Sequence, residues 1–583
     1  SAASDVYKRQ DLNGAAVVLD PVWQGNDTIG NASKAALAFT NNNVNGLMTV
    51  GRNSVLSLGT DDTGKAEQAF AESELTWGKT GVSAALYIDQ AQKLQVQGGI
   101  LLDGTKTAAS AEANKASFAD GSLLIVNGSG IGTSGTAALT GGSGSTLTVN
   151  QGAKLYLTST NAGTYTIAKG FANTTIDGWS WSADAAAVDV SVNKLSEIEK
   201  IEKNTADGDF TVTVRQTDVQ KKYDGIALPN ILQAMDQSRT EYAGIKYLTD
   251  LANDNKLDKE GFIAAVNSFA QGAENSGATR TGALAALDLG TAVQEHLSLA
   301  KAAAEQSGGF GKAAVDTADN GGIWAQYIHN KDKVDNMGGV SYDGQYNGVI
   351  IGGDFADRGK YSSGIAFSYG SGDSTGSASK NEFDFWGLSY YGGIQNGDTN
   401  LIFDVGYSKT SSDVKGVIKA EPDTQVISMG IKGEKVISNG HGTSYVPYAG
   451  LRYMNIDTDS YNGSIDGKTA AHYSTDKADL WLLPVGISIS HESVTAGGWK
   501  VRPTADIAYV WTLGDKNTAM DITVPGVNAT DRLGYDIMDS GFFVGKLGLE
   551  AEKGDWTYGL GYACQKGSHA QNSKFMLNVT YSF

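Results

Sequence analysis

From residue 321 to the end of the chain, apolar and polar positions alternate with a period of two. In the last segment, Phe575, Leu577, Val579, Tyr581 and Phe583 share one face, and Met576, Asn578, Thr580 and Ser582 share the other. Successive side chains of a strand point to opposite sides, so this predicts a strand with one apolar and one mostly polar face, running to the free carboxylate. The same alternation sets Leu401, Phe403, Val405 and Tyr407 against Ile402, Asp404, Gly406 and Ser408. It sets Trp499, Val501, Ala505, Ile507, Tyr509 and Trp511 against Lys500, Arg502, Thr504, Asp506 and Ala508. Twelve strands are predicted, near 321–330, 343–355, 361–371, 381–393, 398–409, 423–433, 443–455, 478–491, 498–512, 540–552, 554–565 and 573–583.

Upstream the period changes. Segments 230–255, 258–271 and 281–306 carry apolar residues at spacings of three and four, such as Ile231, Met235, Tyr242, Ile245 and Leu248, or Ala286, Leu289, Val293 and Leu297. These predict helices, with Asp258 and Thr281 as caps. Residues 11 to about 220 are different again, with short apolar strands broken by Gly, Ser, Thr and Asn. There Gly121–Asn127 (GSLLIVN) recurs as Gly144–Asn150 (GSTLTVN), 23 residues on, aligning Leu124 and Val126 with Leu147 and Val149. Looser versions surround Leu94, Val96, Val55, Leu58, Tyr165 and Ile167. Short strands at such spacing predict a parallel β-helix of stacked coils, with an irregular antiparallel region as the alternative.

The polar face of the C-terminal strands is mainly Gly, Ser and Asp, with an occasional Arg or Lys. A sheet facing bulk water would carry more Lys and Glu, so this composition suits a narrow polar lumen. Aromatics stand near strand ends, as at Trp499 and Trp511 or Tyr445 and Tyr453, where a membrane barrel places its interfacial girdles. Long connections (456–477, 513–539) alternate with short turns such as Asn396-Gly397 and Lys553–Asp555. No run of about 18 apolar residues exists, which excludes a transmembrane helix but not barrel strands of about 9–11 residues with every second one apolar.

At 583 residues the chain should hold two or three domains. Its single cysteine, Cys564, excludes an intrachain disulfide and any zinc site of several thiolates. A formal charge of −19 argues against nucleic acid as partner. Residues 1–10 (SAASDVYKRQ) are basic and polar, lack the apolar core of a signal peptide, and read as a non-native, adapter-like tail, so the native N-terminus is taken to be missing.

The chain resembles the monomeric autotransporters of type Va secretion over roughly 225–583. The resemblance rests on the helical segment, then Gly322-Ile-Trp324-Ala-Gln on the first strand, Tyr346–Asp354 (YNGVIIGGD) on the second, and the terminal Thr580-Tyr-Ser-Phe583. It implies a mainly β chain. Residues 11–222 would be a β-helix-like passenger, 223–320 a helical linker with a pore helix near Thr281–Gln306 or reaching Asp319, and 321–583 a 12-stranded antiparallel transmembrane barrel with that helix in its lumen. It further implies a Gram-negative outer membrane with the passenger at the cell surface. Phe575, Leu577, Val579, Tyr581 and Phe583 would be the signal read by the barrel-assembly machinery, with periplasmic chaperones as further partners and the barrel a monomer in outer-membrane lipid.

Some passengers of this family are enzymes, so the residues must be asked for chemistry. All six histidines lie at or after His296, so the region before about 220 can build neither a Ser–His–Asp triad nor a His-based metal site. Gly132-Thr-Ser134-Gly135 lacks the strand–turn–helix setting of a nucleophile elbow. Spacing alone neither identifies nor excludes a pair of acids for glycoside hydrolysis. The one candidate self-cleavage step is Asp319-Asn320 before Gly321, where an Asn-Gly pair also reads as a turn. Trp179 and Trp181 read as core aromatics, with a binding role as the alternative, and Asp354 reads as structural. The expectation is a non-enzymatic, adhesin-like passenger without cofactor or metal, displayed toward a host or bacterial surface ligand. A porin-like channel with a periplasmic N-terminal region is the competing class.

Overall fold

The computed structural model describes short strand segments between residues 10 and 102, then residues 112, 114–183, 189–254, 256–299, 322–355, 360–439 and 441–582. The chain divides into two compact units, one of residues 1–266 with 524–529, the other of 267–523 with 530–583.

The N-terminal unit is rich in β-structure. Its strands pair in parallel with strands of the preceding and following turns of chain. Lys115–Phe118 lies between Gly99–Leu102 and Thr146–Val149, and Ser122–Asn127 lies between Ala84–Ile88 and Lys154–Thr158. Inward positions such as Leu86, Leu124, Leu147, Leu155 and Ile167 fill one buried apolar core. The two near-identical segments do not stack on each other, contrary to the sequence alignment. Leu124 pairs with Leu155 and Ala116 with Leu147, 31 residues on in both cases, so the two copies lie in different sheets. The stacking period is set by register between turns of chain, whereas the repeated motif marks the turn–strand–Asn local structure within one turn.

The last turn abandons parallel pairing. Ser196–Asn204 and Asp209–Gln216 form a hairpin whose second strand runs antiparallel to Gly163–Lys169. Trp179 is fully buried between Phe118 and Phe210, with ring centroids 5.0 and 5.2 Å away, and Trp181 packs partly buried on the same core. Both therefore serve as core aromatics. The helix expected over 230–255 is two pieces, Pro229–Ala234 and α1 (Ala243–Asn253). The break falls where the Asp236 carboxylate accepts from Ser238 N and Oγ at 2.9 and 2.6 Å, a local turn that competes with the helix. α1 closes the β region, since Asn253 accepts from Ser159 N at 2.9 Å and Tyr156 Oη at 2.8 Å. Next comes α2 (Lys259–Gln271), whose first turn is capped as expected by Asp258, which accepts from Gly261 N at 2.7 Å.

The C-terminal unit is a closed barrel of twelve antiparallel strands. They are β1 (Gly322–Met337), β2 (Val340–Asp354), β3 (Tyr361–Gly376), β4 (Ser379–Asn396), β5 (Thr399–Gly416), β6 (Asp423–Lys435), β7 (Thr443–Thr458), β8 (Ala478–His491), β9 (Lys500–Gly514), β10 (Gly541–Lys553), β11 (Trp556–Lys566) and β12 (Ala570–Ser582). β1 pairs with β12 and β6 with β7, so the sheet has no free edge, the condition for backbone to stand in hydrocarbon. Phe367, Leu388, Val405, Ile507 and Leu547 stand exposed on the outer wall, while their alternates point inward. The strands run several residues past the expected ends at one rim. There the outward face turns polar (Lys331, Lys333 and Asp335 on β1), and the apolar alternation that marks a strand in the sequence stops.

At that same rim lie the long connections. The segments 456–477 and 513–539 are ordered hairpins rather than plain loops. Tyr461–Ile465, Lys468–Thr475, Asn517–Thr523 and Thr530–Asp536 join into a four-stranded sheet of their own. The opposite rim carries short turns such as Asn396–Thr399 and Lys553–Trp556. This asymmetry orients the barrel, with long connections outside and short turns periplasmic.

Candidate functional site

The helix α3 (Ala278–His296) lies inside the barrel. It starts earlier in the sequence than a Thr281 cap implies: Gly277, at φ +71°, precedes it, and Thr281 Oγ1 instead donates back to Gly277 O at 2.9 Å. Its described extent closes at His296, and residues 300–306 of the expected range lie outside the described residues. The expected continuation toward Asp319, and the Asp319-Asn320 step, lie outside the described residues.

α3 is rich in Ala, Gly and Leu and buries nearly its whole circumference. It packs chiefly against β4, β5 and β6. Its glycines stand where the wall presses closest. A Cβ on Gly282 would lie 2.7 Å from Thr424 Cγ2, and one on Gly290 would run into the Arg452 guanidinium. Leu289, Ala292, Val293 and Leu297 meet Trp324, Ile328, Ile350, Tyr391 and Ile402 in one apolar cluster.

Charged groups tie the helix to the wall along its length. At the outer end, Arg280 donates through Nε and Nη2 to Asp332 at 2.9 and 3.0 Å, and through Nη1 to Ile537 O at 2.9 Å. At mid-height Asp288 accepts from Tyr346 Oη at 2.5 Å and Asn330 Nδ2 at 3.2 Å, and pairs with Lys574. Lower down, Glu295 pairs with Lys546, and Gln294 donates to Asp404 at 2.7 Å, itself held by Arg452. At the periplasmic end His296 stacks on Trp324 at 4.7 Å, and its Nε2 lies 2.9 Å from Asp354. Tyr391 also donates to Asp354 at 2.8 Å and receives Trp324 Nε1 at 2.8 Å. Glu434 accepts from Ser298 Oγ at 2.8 Å and Leu299 N at 2.5 Å. Buried pairs of this kind add little net stability over apolar packing, but losing one member strands a charge at about 3–5 kcal/mol. They therefore specify one seating of the helix. Opposite β4–β6 a cavity of about 220 Å³ remains, lined by Asp288, Glu295, Arg452, Asp506, Lys546 and Lys574 among others.

Above the helix, Gly272 and Gly277 adopt φ of +55° and +71° and thread between Tyr461, Tyr473 and Tyr342. Ala273 N donates to Tyr461 Oη at 3.0 Å, and Tyr473 Oη donates to Phe269 O at 2.6 Å, so the outer hairpins grip the chain as it enters the lumen. Here Glu274 is buried, accepting from Thr279 Oγ1 at 2.8 Å. Burial pushes its carboxyl up to about 7, with the Thr279 hydrogen bonds opposing the shift.

The family model of the autotransporter β-domain matches residues 323–563. The barrel is an autotransporter β-domain. It belongs to the outer membrane of a Gram-negative bacterium, consistent with its closed sheet and apolar outer wall. Among solved structures, the chain is similar to the translocator domain of the autotransporter NalP from Neisseria meningitidis, at 14% identity and a TM-score of 0.39, over 52% of this chain and 96% of that one. It is also similar to the β-domain of the Bordetella autotransporter BrkA, at 17% identity and a TM-score of 0.37, over 46% of this chain and 100% of that one. The transport unit of AIDA-I from Escherichia coli is similar at 15% identity and a TM-score of 0.35, over 45% of this chain and 90% of that one. No curated protein matches the chain.

The residues of the sequence resemblance find physical places in this autotransporter β-domain. Trp324 and Asp354 receive His296 of the helix, and Gly352 leaves room for the Trp324 ring, which a Cβ there would strike. Phe575, Leu577 and Val579 of β12 stand exposed on the outer wall, and Tyr581 packs on Trp556 at 4.7 Å. Phe583 lies outside the described residues. The sequence reading named no lumen residue on the helix. Its available signal was the trio Arg280, Asp288 and Glu295 in an Ala-rich helix, facing strands whose inward positions are otherwise small.

Proposed function

We propose that this chain exports and anchors its own N-terminal region, the barrel holding residues 11–222 at the cell surface through the helical linker of 223–320. The observation that carries this reading is the seating of α3. Its first turn lies at the rim of the long hairpins, where Thr279 Oγ1 is 2.8 Å from Thr458 Oγ1, and its last turn lies at the opposite rim with Asp354. A chain entering from outside, crossing the lumen once and joining β1 at the periplasmic rim is the path of an exported segment that has stayed attached. A channel needs no such strand of chain through its pore.

In this reading the displayed region is a β-helix-like, non-enzymatic passenger that offers a repetitive surface to a host or bacterial ligand. It holds no histidine, and its tryptophans at 179 and 181 are spent on the core. The single chain closes its own barrel, which supports a monomer. The exposed aromatic face of β12, with Phe583 at its end, is the segment offered to the barrel-assembly machinery, periplasmic chaperones carrying the chain to it. Conductance tests the lumen part. The full chain in planar bilayers should conduct poorly, and deletion of 278–296 should raise conductance severalfold. Equal, porin-like conductance of both would favour a channel.

A further inference from the structure

Outward lysines at the extracellular rim are mostly neutralised by a neighbour. Lys380 pairs with Glu382, Lys409 with Asp423, Lys415 with Asp413 and Lys477 with Asp457. The face made by β1, β12 and β11 differs. Lys331 and Lys333 on β1 and Lys566 on β11 are exposed, and they form no ion pair with any described residue. Lys566 reaches only Gln571, at 3.4 Å.

Strand register puts the three together. Lys333 is paired with Gln571, and Gln571 with Lys566, so the two lysines flank a single glutamine across two strand spacings, or roughly 10 Å. Lys331 lies two residues lower on the same face, paired with Ser573. Asp343 stands opposite Lys333 on β2 without closing an ion pair and bounds the patch on that side. Asp335 lies two residues above Lys333 on the same face and bounds the patch there. In a chain of net charge −19, a cluster of three cations without an ion pair is an exception.

Its height fixes what it meets. Lys566 is paired with Phe543, which is 61% exposed on the outer wall, and His329, just below Lys331, is paired with the exposed Phe575. The lysines therefore sit where the apolar wall gives way to the polar rim, the level at which a barrel meets lipid headgroups. The rim is the one with the long hairpins, so the headgroups are those of the outer leaflet.

We propose that Lys331, Lys333 and Lys566 form a docking site for the phosphate groups of a phosphorylated outer-leaflet lipid. The exposed Phe543 and Phe575 below them take the acyl chains of the same molecule. The site depends on the barrel's orientation and not on what the N-terminal region does, so it can fail without touching the proposed display function.

The full chain, folded in zwitterionic micelles, would be titrated with diphosphoryl lipid A and followed by tryptophan fluorescence and native mass spectrometry. The expected result is that the triple variant Lys331→Gln/Lys333→Gln/Lys566→Gln binds about tenfold or more weakly, with a shallower salt dependence, because the cations that attract the phosphate groups are gone. Lys380→Gln/Lys415→Gln should bind as the parent does. All variants should keep the heat-modifiable band of a folded barrel, since the substitutions point outward. The proposal is overturned if the triple variant binds like the parent or if the paired-lysine control loses as much. It is equally overturned if the dephosphorylated lipid binds as well, or if inorganic phosphate at equal phosphate concentration displaces the lipid, which would make this a site for the free anion.

Discussion

Arg280 of the lumen helix and Asp332 of β1 meet in a two-bonded pair, 2.9 and 3.0 Å long, with both side chains less than a tenth exposed. Asp332 does not stand out in the sequence, yet the two together fix the outer end of the helix against the first strand. Replacing Asp332 by Asn should strand the guanidinium and destabilise the folded barrel by about 3–5 kcal/mol. Arg280→Met/Asp332→Leu should recover most of that loss. The readout is the temperature at which the compact band converts to the unfolded band on gels. A single variant as stable as the parent would show that the pair does not hold the helix.

Gly290 tests close approach rather than charge. A side chain there must push Arg452 away from Asp404, to which it is bonded at 2.8 and 2.9 Å. Gly290→Leu should lower stability by about 1–3 kcal/mol, the usual cost of overpacking. It should also raise bilayer conductance by loosening the helix, whereas Gly433→Leu, where a Cβ meets nothing within 4 Å, should do neither. Conductance unchanged in Gly290→Leu would contradict the tight seating.

Glu274 predicts a pH dependence with a definite sign. Its carboxyl is raised by burial from 4.5 to about 7 in the folded chain, so the folded state holds its proton more tightly than the unfolded state. Stability is then fully present below the ordinary value, falls as pH rises toward 7, and is lower above it by on the order of 3 kcal/mol. The effect should concentrate in the outer hairpins gripping 272–276. Their amide exchange should quicken from acid to neutral pH, and Glu274→Gln should flatten that profile. A Gln variant with the parent's profile would remove Glu274 as its source.

The barrel was legible in the sequence because membrane and lumen impose opposite chemistry on alternate residues. Strand β8 is bounded by the predicted residues, Ala478–His491, with Leu483, Val485, Ile487 and Ile489 alternating against Gly486, Ser488 and Ser490. The upper halves of β1 and β5 were not legible, because above the apolar band the outward positions are polar, as at Lys331, Lys333, Lys409 and Asp413, and the apolar signal disappears. The outer sheet was missed for a different reason: its core of Tyr461, Tyr473, Met520 and Ile522 is formed by two hairpins far apart in sequence. The helix site was half visible. Apolar spacing in 281–297 marks a helix, but Asp288 finds its partners Asn330, Tyr346 and Lys574 only after the barrel closes, with Lys574 286 residues away. The stacking period of the N-terminal unit was misread because a local motif repeats with a shorter spacing than the register between turns of chain.

The most direct test of the account is surface proteolysis of intact cells. They would express this chain behind a signal peptide, with an epitope tag inserted at Asn150. The account predicts that protease removes the tag and leaves a heat-modifiable fragment close in size to 321–583. A tag protected until the outer membrane is opened would contradict it, placing the N-terminal region in the periplasm.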